Sequence, residues 1–380
     1  METTDVLVVG AGPAGLSAAI VLAQSGHDVV IVDAQAEGAN TSRAAVVHSR
    51  TLELLEPYGV TPALVERGVH TPRFTVRDRD RLLVGVPFDG LPTPYPYTLM
   101  ISQADTEAYL LARLTELGVK VVRPARVTTV AQDDSGVTAT LGDGRAFRAS
   151  YLVGADGMHS GVREQAGIGF GGGTYDESFT LADVRLHGGV PREEVILYFS
   201  PDGLVVVAPL PGGTYRIVAT VGEAPQHPDV AFVQRLLDTR GPKAVPAVVD
   251  EVIWGSRFRV HHRIADTYRR GRILLVGDAA HVHSPAGGQG MNLGIEDAVT
   301  AGEALSKVLR GGSPDLLDAY AAARRPVAEK VVALASRLTS LATMSAARRP
   351  LRNLVLGLVG RLPAVRRRLA WQLSGLDRRG

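Results

Sequence analysis

The 380-residue chain contains no cysteine. That excludes disulfides, thiolate metal sites and a cysteine nucleophile, and it leaves the redox compartment open. The chain also lacks any apolar run near the roughly 20 residues that a membrane-spanning helix needs. No basic leader precedes the opening METTDVLVVG, which enters a strand directly, so a cytoplasmic location is expected. There is no internal repeat, no low-complexity tract longer than a turn, and no evident Ser-His-Asp set or carboxylate pair. His261 and His262 are neighbours on an expected strand and so point to opposite faces, which argues against a shared metal. No metal site is expected.

Hydrophobic residues make up 45% of the chain and charged residues 21%, a globular composition long enough for two or three packed domains. The net charge of +2 is unevenly spread: residues 346–380 hold nine arginines and one aspartate, so the first 345 residues carry −6. This tail has no aromatics interleaved with its arginines beyond Trp371, which argues against nucleic acid. It reads as two amphipathic helices over residues 351–376, split near Pro363, packed on the body with arginines facing water. An alternative is that they rest on an anionic membrane surface.

The amino terminus carries the first motif. An apolar strand over residues 5–9 runs into Gly10-Ala11-Gly12-Pro13-Ala14-Gly15, a G-x-G-x-x-G match, and a helix follows over 16–24. A second strand over 28–32 ends at Asp33, 23 positions after Gly10. Glycines allow the tight turn and a close pyrophosphate approach, the helix amino terminus faces the phosphates, and the acid accepts from a ribose hydroxyl. Dinucleotide binding is expected. Arg43 follows closely and has the fork geometry for a phosphate. Gln103 falls at an expected helix start, within the cofactor's reach.

A second strand-to-acid joint comes in the middle, where residues 151–155 lead into Asp156-Gly157. The third begins with Ile273-Leu274-Leu275-Val276, turns at Gly277-Asp278, passes Pro285 and crosses Gly287-Gly288-Gln289-Gly290 before a helix from Met291. A carboxylate at a strand end accepts from sugar hydroxyls, and the amides opening a helix are free to donate. Asp278, the Pro285 turn and the amides of residues 288–292 suit a cofactor with both a ribityl chain and a polar ring. Between the second and third motifs, residues 178–222 form short strands separated by Gly/Pro turns, the pattern of an antiparallel sheet. Residues 230–237 and 243–249 read as helices, 254–264 as a strand, and 316–341 as helical but interrupted by Pro326.

In this order and spacing the three motifs resemble the group A flavoprotein monooxygenases of the para-hydroxybenzoate hydroxylase type, over residues 5–345. Within them the chain looks most like the aromatic polyketide hydroxylases, on residues 42–53 (SRAAVVHSRTLE) and on Leu373-Ser374-Gly375-Leu376. Many of those continue into a thioredoxin-like domain, which is expected to be missing here. The resemblance implies an α/β fold with α+β insertions: a Rossmann-type FAD-binding domain, discontinuous over 1–72, 98–170 and 265–345. An antiparallel-sheet substrate domain would take 73–97 and 171–264, and a basic helical segment 346–380.

It also implies FAD as cofactor, with NADPH or NADH and O2 as co-substrates, and hydroxylation of a polycyclic aromatic through a flavin C4a-hydroperoxide. Gly10, Gly12, Pro13, Ala14, Gly15, Asp33 and Ala34 would hold the ADP half of FAD. Arg43 and Ala44 would lie by its phosphates, Gln103 by the ribityl or phosphate region, and Asp156-Gly157 in a motif shared by FAD and NAD(P)H. Asp278 would bind the ribityl region, Pro285 would lie by the flavin face, and Gly288, Gln289, Gly290, Met291 and Asn292 would face the pyrimidine edge. Phe199 and Pro209 are the expected pocket-wall residues. His48 and Tyr97 are further candidates for assisting a phenol, each with a structural role as the plainer reading. Alternatives within the family are an antibiotic-inactivating or Baeyer–Villiger oxidation; outside it, a flavin-binding partner protein without oxygenase activity. A monomer or homodimer is expected.

Overall fold

The computed structural model describes residues 1–38, 44–222 and 224–379, with backbone alone at 175–177 and 259–260. Its organising element is a parallel sheet. The strands Ile273–Leu275, Ala146–Gly154, Glu2–Val9, Val29–Val32 and Val121–Val122 lie side by side in that order, all parallel. Apart from the half-buried edge strand Val121–Val122, their Val, Ile and Leu runs are largely buried on both faces, as a parallel sheet covered by helices requires. The covering helices include Pro13–Gln24 and Gly290–Leu309, which share the main apolar core with the sheet. A hairpin, Val127–Asp133 and Gly136–Leu141, extends the sheet antiparallel to Ala146–Gly154.

The second sheet has eight strands and is antiparallel except where Glu194–Ser200 pairs parallel with Arg73–Asp78. The pleat sorts its side chains. Ile196, Tyr198, Val205 and Val207 pack towards the helix Val230–Arg240, while Val195, Phe199, Leu204 and Ala208 face a cluster with Ala45, Val46, Met100, Ala370 and Leu376. The expected fold class is what the chain adopts. Among the described residues no helix is long and apolar enough to cross a membrane.

Three local expectations differ from the structure. Residues 243–249 are not helical: Ala247 begins the 19-residue strand Ala247–Ala265, where Val248 and Val249 pair with His187 and Leu186. Pro242 and Pro246 deny that stretch helical hydrogen bonds, and β-branched valines suit the sheet. Pro326 does not interrupt its helix, which runs unbroken as Asp315–Ala342. A proline costs a helix one hydrogen bond; burial of Arg324 and Ala328 on either side holds both halves against the core. The tail does form two helices, Arg349–Val359 and Pro363–Leu373, but its arginines do not all face water. Arg352 is buried under the second sheet, and Arg378, its side chain 7% exposed, pairs with Glu296.

Candidate functional site

The three motifs leave the parallel sheet at one edge. In register, Val9 stands beside Gly154 and Val32, and Gly154 beside Leu275. Gly10, Asp33, Asp156-Gly157 and Gly277-Asp278 therefore emerge together at the carboxyl ends of adjacent strands, the place where open α/β sheets bind ligands.

The glycines divide by task. A side chain at Gly10, whose φ is +103°, would lie 2.3 Å from the Ala155 carbonyl oxygen, and one at Gly15 would lie 1.9 Å from that of Gly10. Both are needed for the chain to pack on itself. Gly12 is different: a Cβ there would meet nothing within 4 Å. The opening faces the first helix, whose amino terminus has no side-chain cap and whose first residue, Pro13, gives up no donor. Asp33 anchors the same loop, accepting from the Ala11 N–H at 2.6 Å and the Gln35 N–H at 2.7 Å, with Ala34 exposed beside it. Ala14 joins the first motif to the third, because its methyl would lie 2.9 Å from a side chain at Gly277 and 3.6 Å from one at Gly294.

Gly294 lies in the first turns of Gly290–Leu309, so the loop before that helix sits next to the opening. That loop is held by Asn292, fully buried. Its Oδ1 accepts from the His48 N–H at 2.8 Å, and its Nδ2 donates to the carbonyls of Val46 and Gly288, each at 2.9 Å. Gly288 (φ +63°) has the Val46 side chain 2.2 Å from where its own would start. The His48 ring donates from Nε2 to the Gly287 carbonyl at 3.0 Å. Burial, reinforced by the Arg378 charge, lowers its pKa to about 4, so the ring is neutral. His283, donating to the Ser284 carbonyl at 2.7 Å, is likewise lowered to about 4 by burial.

Among the described residues, His48 Nδ1, His283 Nε2 and Gln289 Oε1 are buried without a hydrogen-bond partner. Such atoms are costly unless a ligand or water meets them. Their position around residues 287–290 fits a polar ring. The helix that follows has no side-chain cap.

Other expected residues take less direct places. Gln103 opens the helix Gln103–Glu116 and accepts from the Ala44 N–H at 3.2 Å, while the Ala44 carbonyl accepts from Arg216 at 2.8 Å. Arg43 lies outside the described residues. Asp156 accepts from the Ser160 hydroxyl at 2.5 Å and from the Val162 N–H at 3.1 Å, so its carboxylate braces the helix Gly161–Gln165. Burial raises its pKa despite those bonds. Asp278 and Pro285 are exposed, and Met291 is half-buried.

Phe199 is on the sheet face turned towards Ala45 and Val46, but the Arg352 guanidinium lies 4.6 Å over its ring. Pro209 pairs with Tyr215, whose ring belongs to the cluster under Val230–Arg240, so strand alternation places it on the opposite face. Tyr97 stacks on His70 at 4.1 Å.

Two groups escaped sequence reasoning. Buried Arg216 grips Asp183 through two bonds, 2.7 and 2.8 Å, and ties the second sheet to Ala44. Behind the 287–292 loop, Asp297 pairs with His281 and Arg324, each at 2.6 Å, and Glu296 pairs with Arg324 and Arg378. Burial pushes the Asp297 carboxyl up, but Arg324 and His281 more than offset it and hold it below the usual range. Neither group has a local signature, since the partners come from distant segments.

A parallel sheet with an uncapped helix, an open glycine and an acid at its carboxyl edge defines a dinucleotide-binding α/β protein. The chain belongs to the FAD binding domain family, whose model matches residues 3–335. It is 39% identical over 349 residues to the 6-methylpretetramide 4-monooxygenase of Streptomyces rimosus, covering 90% of this chain and 62% of that one. The chain thus spans less than two thirds of that relative's length. The crystal structure of p-nitrophenol 4-monooxygenase PnpA from Pseudomonas putida DLL-E4 superposes with a TM-score of 0.86 at 28% identity, covering 99% of both chains. OxyS anhydrotetracycline hydroxylase from Streptomyces rimosus superposes with a TM-score of 0.81 at 33% identity, covering 99% of this chain and 76% of that one.

Proposed function

We propose that the chain is an FAD-dependent monooxygenase that consumes NADPH or NADH and O2 to hydroxylate a polycyclic aromatic phenol. The observation that carries the reading is the opening at Gly12, contiguous through Ala14, Gly277 and Gly294 with the polar loop 287–292. The relatives' names, a pretetramide monooxygenase, a nitrophenol monooxygenase and an anhydrotetracycline hydroxylase, support an aromatic substrate.

In this reading residues 1–72, 98–170 and 265–345 form the FAD module, and 73–97 with 171–264 the substrate module. Gly12, Ala14 and Gly15 present the first helix's amides to the pyrophosphate, Asp33 takes a ribose hydroxyl, and Asp278 takes the ribityl chain. The amides at Gln289–Asn292 and the orphaned His48, His283 and Gln289 atoms meet the ring's polar edge, while the Gly288 N–H donates to the Pro285 carbonyl at 2.9 Å. When bound, FAD supplies hydride acceptance from NAD(P)H and the activation of O2.

The protein's own residues supply position and dryness. Asn292 fixes the loop against Val46 and His48, and Arg216 locks the second sheet to Ala44. The apolar face of that sheet, with Leu204 and Ala208, excludes water. His48 stays neutral and keeps its Nε2 proton on the Gly287 carbonyl. The reaction takes place in the cytoplasm.

The test is NADPH oxidation by the flavin-loaded protein with a panel of polycyclic phenols, with peroxide measured in parallel. Faster oxidation with little peroxide supports the reading. Oxidation unaffected by every phenol assigns the chain to a flavin-binding partner role instead.

A further inference from the structure

The helix Arg349–Val359 is inverted relative to an ordinary surface helix. Its polar residues Arg352 and Asn353 face inward, both bonding the Phe199 carbonyl, at 3.1 and 2.9 Å, and Asn353 also bonds Asp78 at 2.9 Å. Apart from Leu356, which packs inward, its large apolar residues face outward: Leu351, Leu354, Val355, Leu358, Val359 and, past the helix end, Leu362 are between 40% and 64% exposed. The spacing is that of one helical stripe, continuous over three turns. Leu82 extends it from the adjoining strand Arg81–Pro87, on which this helix and the next pack. A soluble surface does not carry such a stripe without an occupant.

The rim says what the occupant is. Arg348 and Arg361 flank this helix in sequence and Arg367 and Arg368 lie on the next one, Pro363–Leu373; all four are exposed, and none forms an ion pair among the described residues. No acidic residue occurs from 346 to 376. A second copy seated by two-fold symmetry would press these arginines against one another, and residues 346–376 offer no carboxylate to answer them. An anionic bilayer offers both halves of the match, acyl chains for the leucines and headgroup charge for the arginines. We propose that this face seats the protein on the surface of an anionic membrane, in the interfacial plane and without spanning it. The polar anchors Arg352 and Asn353 hold the helix in place from below, so the apolar stripe is preformed for the bilayer.

The test is co-sedimentation of the full chain with phosphatidylcholine vesicles and with vesicles that also contain phosphatidylglycerol. The expected result is binding about tenfold stronger to the anionic vesicles, weakened by salt. The double variant Leu354→Ser/Leu358→Ser should lose about tenfold in that binding, and so should Arg367→Glu/Arg368→Glu. All four positions are exposed, so near-UV circular dichroism should be unchanged in both variants. Absence of any preference for anionic vesicles overturns the proposal. So does a dimer, seen by sedimentation velocity and split by Leu354→Ser/Leu358→Ser, which assigns the face to a second copy.

Discussion

Gly12→Ala and Gly10→Ala differ by one methyl each and should fail in opposite ways. At Gly12 the backbone is extended (φ −75°, ψ −178°), open to any residue, and the new methyl meets no atom within 4 Å. The fold should lose at most about 1 kcal/mol, the usual scale for alanine at a helix N-cap. The methyl would instead occupy the opening where a pyrophosphate must approach. Flavin affinity should fall at least about tenfold, or ~1.4 kcal/mol. At Gly10, φ is +103° and the methyl would sit 2.3 Å from the Ala155 carbonyl oxygen. Strain and overpacking together should cost about 3 kcal/mol of stability. Urea unfolding of the flavin-free proteins, followed by Trp fluorescence, measures the first quantity, and flavin titration measures the second. A Gly12→Ala protein that binds FAD as tightly as the parent would refute the cradle. One that unfolds as easily as Gly10→Ala would refute the division of tasks among the glycines.

Three other outcomes are expected. Asn292→Ala strips a buried partner from the His48 N–H and from two carbonyls and should cost about 3 kcal/mol in urea unfolding; a loss under about 1 kcal/mol would contradict the clamp. His48 and His283 are held neutral, with pKa about 4 against 6.5 in the unfolded chain, so between those values the unfolded chain binds protons that the fold refuses. Each should therefore stabilise the protein above pH 6.5 and lose about 3 kcal/mol of that as pH falls to about 4. Asp156 and Glu107, raised by burial, act in the opposite sense, so the contrast is to be read between the parent and His283→Gln, whose acid slope should be shallower. Asp278→Ala, at an exposed position, should weaken FAD retention; a variant purified as yellow as the parent would count against its role.

The strand-end motifs were legible because each signal is local: an apolar run ending in a glycine or an acid, on adjacent strands. What reads as cofactor chemistry in the sequence is partly architecture in the fold. Gly10 and Gly15 are there for packing, and the Asp156 carboxylate braces a short helix. The Asn292 clamp reaches partners 244 and 246 residues away, and Arg216 meets Ala44 across 172 residues, so no spacing rule reveals them. Residues 243–249 misled because alanines and valines between prolines have weak local preference, and pairing with Leu186 and His187 decided the outcome. In the tail, the amphipathic period was readable but its direction was not. Arg352 and Asn353 turn inward because the Phe199 carbonyl waits there.

The most direct measurement is the mass of the product formed under isotopically labelled O2, with FAD, NADPH and a responding polycyclic phenol. The account predicts one labelled oxygen atom per product molecule. A product with no label, its new oxygen drawn from water, would contradict it.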